Sequence, residues 1–455
     1  MTWASMIALA FACSITVIFL LIWITFLAEK ERRPAALTFV SCAPLVLLYH
    51  ALWLFEFPGK PAVVIVSIVL PLIACFFLYM PWGSNPPIDV VGPQERIDER
   101  ETLFHRFYRI REGTPEFDAF YADHPDKRDF DDKVRALPPL AAPGARTWHP
   151  LSSPYQIAAF SLIEDISRNI EWKPAPIEGR PVKASPEELA KRVKGFASYS
   201  GAKLVGCTRL DPAYVYSHIG RSPGKIGAPI TLDHTHAVVI AVEMSLDMIR
   251  QAPDAPTTTE TAFKYLEAGK VAMLVARYIN LLGYEARAHV DGNYRVLCVP
   301  IAADAGIGEL GRLGLLITPE YGPRIRLAVV TTDMPLAQDS PQPFGVQDFC
   351  SFCRKCADIC PSGSIDKGGK QVHNGVAKWR SEQDTCYRYW RTAGSDCALC
   401  VKVCPYSHPT NVMHDSIRTI LKRNRLARRV ALQGDDLLYG RRPKARYPLP
   451  EWHKS

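Results

Sequence analysis

Eight of the thirteen cysteines fall between Cys350 and Cys404, and this crowding constrains the chain more than any other feature of its 455 residues. A disulfide framework spreads its thiols out, whereas thiols packed this densely are metal ligands held in a reducing compartment. The run Cys350-Ser-Phe-Cys353-Arg-Lys-Cys356-Ala-Asp-Ile-Cys360-Pro361 has the spacing C-x2-C-x2-C-x3-C-P. In a protein with two iron–sulfur cubes, the fourth thiolate of such a run ligates the other cube. The missing ligands follow as Cys386, Cys397, Cys400 and Cys404, the last again preceding a proline. The pattern therefore assigns Cys350, Cys353, Cys356 and Cys404 to one 4Fe-4S cluster, and Cys360, Cys386, Cys397 and Cys400 to a second. Zinc competes for the same motif, because paired C-x-x-C also binds Zn2+. Three thiols on one turn with a distant fourth suit a cube better. Cys386 departs from a plain repeat, with ten residues between it and Cys397.

Composition divides the chain. Residues 1–82 are almost wholly apolar, with stretches at about 2–28, 36–55 and 61–82 that each approach the ~20 residues needed to cross a ~30 Å bilayer core. A cleaved signal peptide fits badly, since no basic segment precedes the first stretch and two more follow it; no twin-arginine signal is visible either. Lys30, Arg32 and Arg33 in the first loop place that loop in the cytoplasm, the N-terminus outside and the remainder of the chain inside. A multi-pass protein of the cell inner membrane with a cytoplasmic catalytic domain is expected. Haem between the spans would need paired axial ligands, and only His50 lies there, beside Cys13, Cys42 and Cys75. The net charge of +8 reflects this bias and a basic C-terminal tail, including Lys422, Arg423, Arg425, Arg428, Arg429, Arg441, Arg442, Lys444 and Arg446, suited to anionic lipid. Nothing else supports nucleic acid as a partner.

Beyond the spans, periodicity predicts an amphipathic helix over 95–112, a helix over 156–169, and a third opened by the capping box at Ser185. Strands are expected at 202–207, 237–244, 294–300 and 324–331, with a long helix over 259–282, so a sheet with packed helices follows. The glycine-rich turn at 305–312 is either a ligand approach or a tight structural turn. His234 and His236 could pair on a metal, but two histidines alone are more often hydrogen-bonded at strand ends.

Several strings, together with both cysteine motifs, resemble the reductive dehalogenase family: Glu116-Phe-Asp-Ala-Phe-Tyr121, Leu282-Gly-Tyr-Glu-Ala286, Ala305–Arg312, Ile317-Thr-Pro-Glu-Tyr-Gly-Pro323 and Cys404-Pro-Tyr-Ser-His-Pro409. The resemblance covers most of residues 95–415. With the three-helix transmembrane segment (1–82), the linker and amphipathic extension (83–154) and the basic tail (416–455) read from the residues, it implies an α+β fold class with a nitroreductase-like α/β domain holding cobalamin as base-off corrinoid (155–340) and a ferredoxin-like two-cluster domain (341–415). It also implies an organohalide substrate, expected to be aromatic, whose halogen is replaced by hydrogen. A low-potential donor (ferredoxin, flavodoxin or a membrane reductase) would supply the electrons. The family's proton-donating tyrosine matches Tyr265, with Tyr214 and Tyr216 as alternatives and a core aromatic as the structural reading. Arg324 or Arg326 would be the neighbouring cation and Asn293 a polar partner; Gly306, Gly308, Gly311, Arg312 and His408 would approach the corrinoid. Exported relatives use a separate anchor, whereas this chain carries its own.

Two other functions compete. An epoxyqueuosine-reductase-like tRNA-modifying enzyme would use the same cofactors but would be expected without spans. A membrane-tethered ferredoxin-type carrier would not need the large folded region before the clusters.

Overall fold

The computed structural model describes residues 2–222, 225–442, 447 and 449–453. It divides into two compact units: residues 1–84 with 410–443, and residues 85–409 with 444–455. Lys444 and Arg446 of the expected tail lie outside the described residues.

In the first unit the helices Trp3–Ala28, Arg32–Leu54 and Lys60–Tyr79 are each long and apolar enough to cross a membrane. Their large aliphatic side chains, such as Leu21, Leu47 and Leu70, point outward. Ala4, Ala8 and Ala12 are buried; at four-residue spacing they make one smooth face that lets a neighbouring helix approach closely. Phe11 stacks on Tyr49 at 6.2 Å, and the Tyr49 hydroxyl donates to the Ser67 carbonyl at 2.8 Å.

The stretch expected as a basic tail instead opens within a helical hairpin, Val412–Arg423 and Arg425–Leu438. Its buried faces carry His414, Arg418, Arg428 and Asp435 beside Leu421 and Leu432, so the apolar period is diluted by charge and reads poorly in sequence. The hairpin is anchored at both ends. Asn411 Nδ2 donates to Glu29 Oε1 at 2.6 Å, and His414 pairs with Glu29 at 3.2 Å. At the turn, Asn424 Nδ2 donates to the carbonyls of Phe77 and Met80, where the third apolar helix ends. The return leg brings Tyr439 to 6.2 Å from Phe26.

The second unit is built on a four-stranded antiparallel sheet in the order Leu204–Arg209, His236–Glu243, Ile325–Thr332, Ala286–His289. The strand His236–Glu243 is an unbroken apolar run because both of its faces are covered. Val238, Ile240 and Val242 meet the long helix Ala255–Leu281, while Ala237, Val239 and Ala241 meet Ile301, Ala302 and Ala305. Ser185 caps the helix Pro186–Tyr199 by accepting from the Glu188 amide at 3.2 Å. Two expectations change. Residues 294–300 are not a strand: Cys298 begins the helix Cys298–Asp304, and Pro300 sits in its first turn, where a missing N–H costs nothing. The helix expected over 95–112 shrinks to Leu103–Tyr108 after a 3-10 turn at Glu99–Glu101, because buried Glu99 turns aside to accept from the amides of Gly220 and Arg221. The segment 83–154 also folds onto the cysteine-rich region. Arg106 pairs with Asp131 at 3.3 Å and with Asp384, and Arg391 Nε donates to Pro138 O at 2.9 Å.

Gly206 lies on the first strand where a Cβ would meet the Ala305 carbonyl at 2.5 Å. Gly206→Ala should therefore destabilise the protein by about 1–3 kcal/mol through overpacking. A lowered denaturation midpoint in the purified protein checks this; an unchanged midpoint contradicts the close approach.

Candidate functional site

None of the thirteen cysteines is paired in a disulfide. Cys350 and Cys353 lie on the helix Val346–Cys353 and Cys356 on Lys355–Ile359, while Cys404 follows Leu399–Lys402. Together they line one cavity, with Arg312, Phe349 and Tyr406 among its walls. Burial raises Cys356 well above an ordinary thiol, and its thiol neighbours are Cys350, Cys404 and Cys353. Cys400 is raised likewise, next to Cys397, Cys356, Cys386 and Cys360. The thiols thus fall into two adjoining groups. Among the described residues no three His, Cys, Asp or Glu side chains converge as ligands of a single ion; thiols arranged around a cavity suit a polynuclear cluster better than Zn2+. Burial pushes Cys350 to about 11, Cys386 to about 11 and Cys397 to about 12. Groups that resist ionisation as free thiols lose their protons when iron binds them. At Cys360 burial is outweighed by the Ser362 hydroxyl and the amides of Ile365, Ser364 and Ser362, so its pKa is lowered. Hydrogen bonds of this kind tune a cluster sulfur.

Arg312 is 2% exposed. Its guanidinium donates to the carbonyls of Cys350 at 3.0 Å, Asp366 at 2.8 Å and Gly368 at 2.9 Å, and lies 4.7 Å from the Trp379 ring. It is a clamp on the loop of the first group rather than a free hand for a corrinoid. The glycines before it are spent on packing too. A Cβ at Gly306 would strike Ser340 O at 2.6 Å, one at Gly308 would strike Ile317 O at 2.3 Å, and one at Gly311 would strike Ile317 Cδ1 at 2.4 Å. His408 follows the 3-10 turn Pro405–Ser407.

Tyr265 stands on the long helix beneath Arg326, which comes from the strand Ile325–Thr332 and holds its guanidinium 5.1 Å from the ring centre. Burial raises the phenol above its ordinary pKa, and Arg326 pulls it back down. Arg326 Nη2 donates to Thr261 Oγ1 at 2.8 Å, while its buried Nε has no hydrogen-bond partner among the described residues. Arg324 goes elsewhere: fully buried, it donates to Ser407 O at 2.9 Å, Glu243 Oε1 at 3.0 Å and Met244 O at 2.6 Å. Asn293 is also occupied away from Tyr265. Its Oδ1 accepts from Ser222 and Arg287, and its Nδ2 donates to Ser167 O. Burial raises Tyr214, which bonds Asp304, and Tyr216. His234 Nδ1 lies 2.8 Å from Thr331 Oγ1 and His236 Nδ1 lies 2.8 Å from Thr235 Oγ1, so the two histidines hydrogen-bond to neighbouring threonines.

Around Tyr265 stand Tyr294, Asp291 and Arg221, and Asp291 pairs with Arg221 at 3.0 Å. Burial pushes the nearby Cys298 to about 12. Tyr216, Tyr265, Tyr294, Cys298 and Arg326 each keep some accessible surface, although desolvation dominates the titration of the four that ionise. Neither Asp291 nor Arg221 carried a motif in the sequence; only the fold brings them together.

Residues 349–408 match the model of a 4Fe-4S dicluster domain. Among curated proteins, the tetrachloroethene reductive dehalogenase of Sulfurospirillum multivorans is 32% identical over 305 residues, 59% of this chain and 60% of the relative. That of Dehalobacter restrictus is 33% identical over 281 residues, 51% of each. A solved catabolic reductive dehalogenase superposes with a TM-score of 0.65 at 26% identity, covering 79% of this chain and 49% of that one. The resemblance is to reductive dehalogenases. The chain spans between half and three-fifths of the length of these curated relatives. A shorter match, 35% identical over 116 residues and 24% of this chain, is to the epoxyqueuosine reductase of Listeria monocytogenes.

Replacing Arg312 by Gln strips donors from three carbonyls, of which that of buried Cys350 costs ~1–3 kcal/mol when left unsatisfied. Arg312→Gln should lower iron content per chain, measured on purified protein; full iron occupancy would show that the clamp is dispensable.

Proposed function

We propose that the chain is a corrinoid-dependent reductive dehalogenase, anchored in the inner membrane by three helices and fed electrons by two 4Fe-4S clusters. The observation carrying this is the Tyr265–Arg326 pair, linked through Thr261 and Asp396 to the loop of Cys397. That pair supports a reaction that needs a proton as well as electrons. Replacing a carbon-bound halogen by hydrogen consumes two electrons and one proton and releases halide. A bound corrinoid would supply the low-valent cobalt that cleaves the carbon–halogen bond. Tyr216, Tyr265, Tyr294 and Cys298 are half-buried neighbours, and as the walls of a corrinoid space with Arg326 as its polar edge they fit such a group. The remaining work belongs to the chain. Tyr265 gives its hydroxyl proton to the carbon as halide departs, and its raised pKa keeps it protonated at neutral pH. Arg326 stabilises the tyrosinate left behind.

The solved catabolic relative binds 3-bromo-4-hydroxybenzoic acid, and a ring of that kind suits a space lined by tyrosines and an arginine. The spans, with basic residues in the first loop, favour a cytoplasmic catalytic unit and count against the tRNA-modifying alternative.

Three outcomes test the reading. Purified protein loaded with iron and cobalamin should show a base-off corrinoid spectrum and release bromide from a bromophenol with a low-potential donor; a protein that takes up no corrinoid refutes it. Tyr265→Phe should lower turnover at least ~100-fold with cofactor content intact, and undiminished turnover would remove Tyr265 as the acid. Because the acid form is the active one and its pKa is raised, turnover should show no alkaline loss from this group below about pH 10, the ordinary tyrosine value. Arg326→Gln should move that loss higher still while slowing the reaction. A tyrosine limb near neutrality in the pH profile would contradict the assignment.

A further inference from the structure

We infer that Asp396 is a positioning residue joining the two deliveries this reaction needs, holding Arg326 over Tyr265 through Thr261 while placing a fixed negative charge beside the second cluster. The inference rests on the proposed reaction and deepens it, because it says how the proton-donating pair and the electron-donating loop are built into one piece.

Asp396 is 7% exposed and immediately precedes Cys397. Its Oδ1 accepts from Thr258 Oγ1 at 3.1 Å, and its own amide donates back to that oxygen at 3.0 Å. Its Oδ2 accepts a short hydrogen bond from Thr261 Oγ1. With the Thr261 proton committed to the carboxylate, the hydroxyl lone pairs face Arg326 Nη2 at 2.8 Å. Arg326 itself is 3.8 Å from Oδ2, beyond hydrogen-bond reach, so the threonine is the link. Thr258, Thr261 and Tyr265 follow one another at three- and four-residue steps on the long helix, and such positions share a face. One carboxylate thus fixes the loop of Cys397, the face carrying the acid and the cation over the acid.

The groups facing Tyr265 are Arg326, Asp291, Arg221 and Asp396 by charge, and Tyr294. Asp291 and Arg221 already satisfy each other, which leaves Arg326 and Asp396 as the pair whose geometry is adjustable. An amide at position 396 would keep one acceptor oxygen and present a donor to the other threonine, so the orientation of Thr261 would be lost. Net charge near a cluster is one of the factors that set its potential. A carboxylate next to a ligand loop opposes the added electron and keeps the cluster strongly reducing.

The test uses full-length holoenzyme, Asp396→Asn and Thr261→Val, with iron content, redox titration of both clusters by electron paramagnetic resonance, and kcat and KM for bromophenol. Asp396→Asn should keep its iron, raise the potential of one cluster and leave the other alone. Its kcat should fall about 10–100-fold at unchanged KM, the scale of a misplaced catalytic group. Thr261→Val should lower kcat similarly without moving either potential, and the double variant should be no slower than Asp396→Asn. Unmoved potentials in Asp396→Asn, losses that multiply in the double variant, or a fall in kcat that merely follows lost iron would each overturn the inference. A wild-type holoenzyme that releases no halide would instead sink the reaction, with the cluster potentials still readable in both variants.

Discussion

The structure depends on bringing eight thiols into two adjoining groups and burying them. As free thiols in an apolar setting most resist ionisation, with Cys350 held at about 11 and Cys397 at about 12. Iron reverses that balance, because ligation and deprotonation are one event. The chain prepares for it in advance. Arg312 holds the carbonyls around Cys350, Arg324 holds Ser407 three residues after Cys404, and Arg391 and Arg146 tie the helix bearing Cys386 to the segment 135–146. Guanidiniums satisfied by backbone carbonyls, buried at Arg312, Arg324 and Arg391, serve where an apolar core could not, since the groups to be held are polar loops.

The sheet provides the second half of the arrangement. Ile325–Thr332 pairs with a strand on each side, and Arg326 projects from its first half, opposite Val242. The helix Ala255–Leu281 lies across the same sheet and presents Tyr265 to it. A phenol fixed on a helix and a guanidinium fixed on a strand keep their spacing better than two groups on loops would. The loop of Cys397 is docked on the first turns of that helix through Thr258 and Thr261.

Much of this was legible in the residues. The cysteine spacing, the Ser185 cap and the unbroken apolar run at 237–244 each carry a local physical cause, and local causes survive folding. What stayed hidden depended on distant partners. Tyr294 to Pro300 has the composition of a strand, yet it turns into a helix at Cys298, with Pro300 in the first turn. Arg312 sits in a glycine-rich string and reads as a ligand contact, but its partners lie some forty to sixty positions away, at Cys350, Asp366 and Gly368. Arg324 and Arg326 are two residues apart and indistinguishable in sequence; Arg324 precedes the strand Ile325–Thr332 and is held by Ser407, Glu243 and Met244, and only Arg326 reaches Tyr265. Asp396 carries no motif of its own beyond preceding Cys397. Its role depends on Thr258 and Thr261, 138 and 135 positions away.

The hairpin Val412–Arg423 and Arg425–Leu438 has a consequence for how the molecule is made. It completes the unit begun by residues 1–84, so the 325 residues from 85 to 409 are an insertion within that unit. At ~5–20 residues per second of synthesis, the three apolar helices wait roughly 16–65 s for the hairpin that covers Glu29 and the end of Lys60–Tyr79. A single break in the inserted stretch would leave both fragments attached to the same helical bundle. Loss of the last 45 residues would strip away the turn at Asn424 and leave the first unit unfinished, although every cysteine ligand remained.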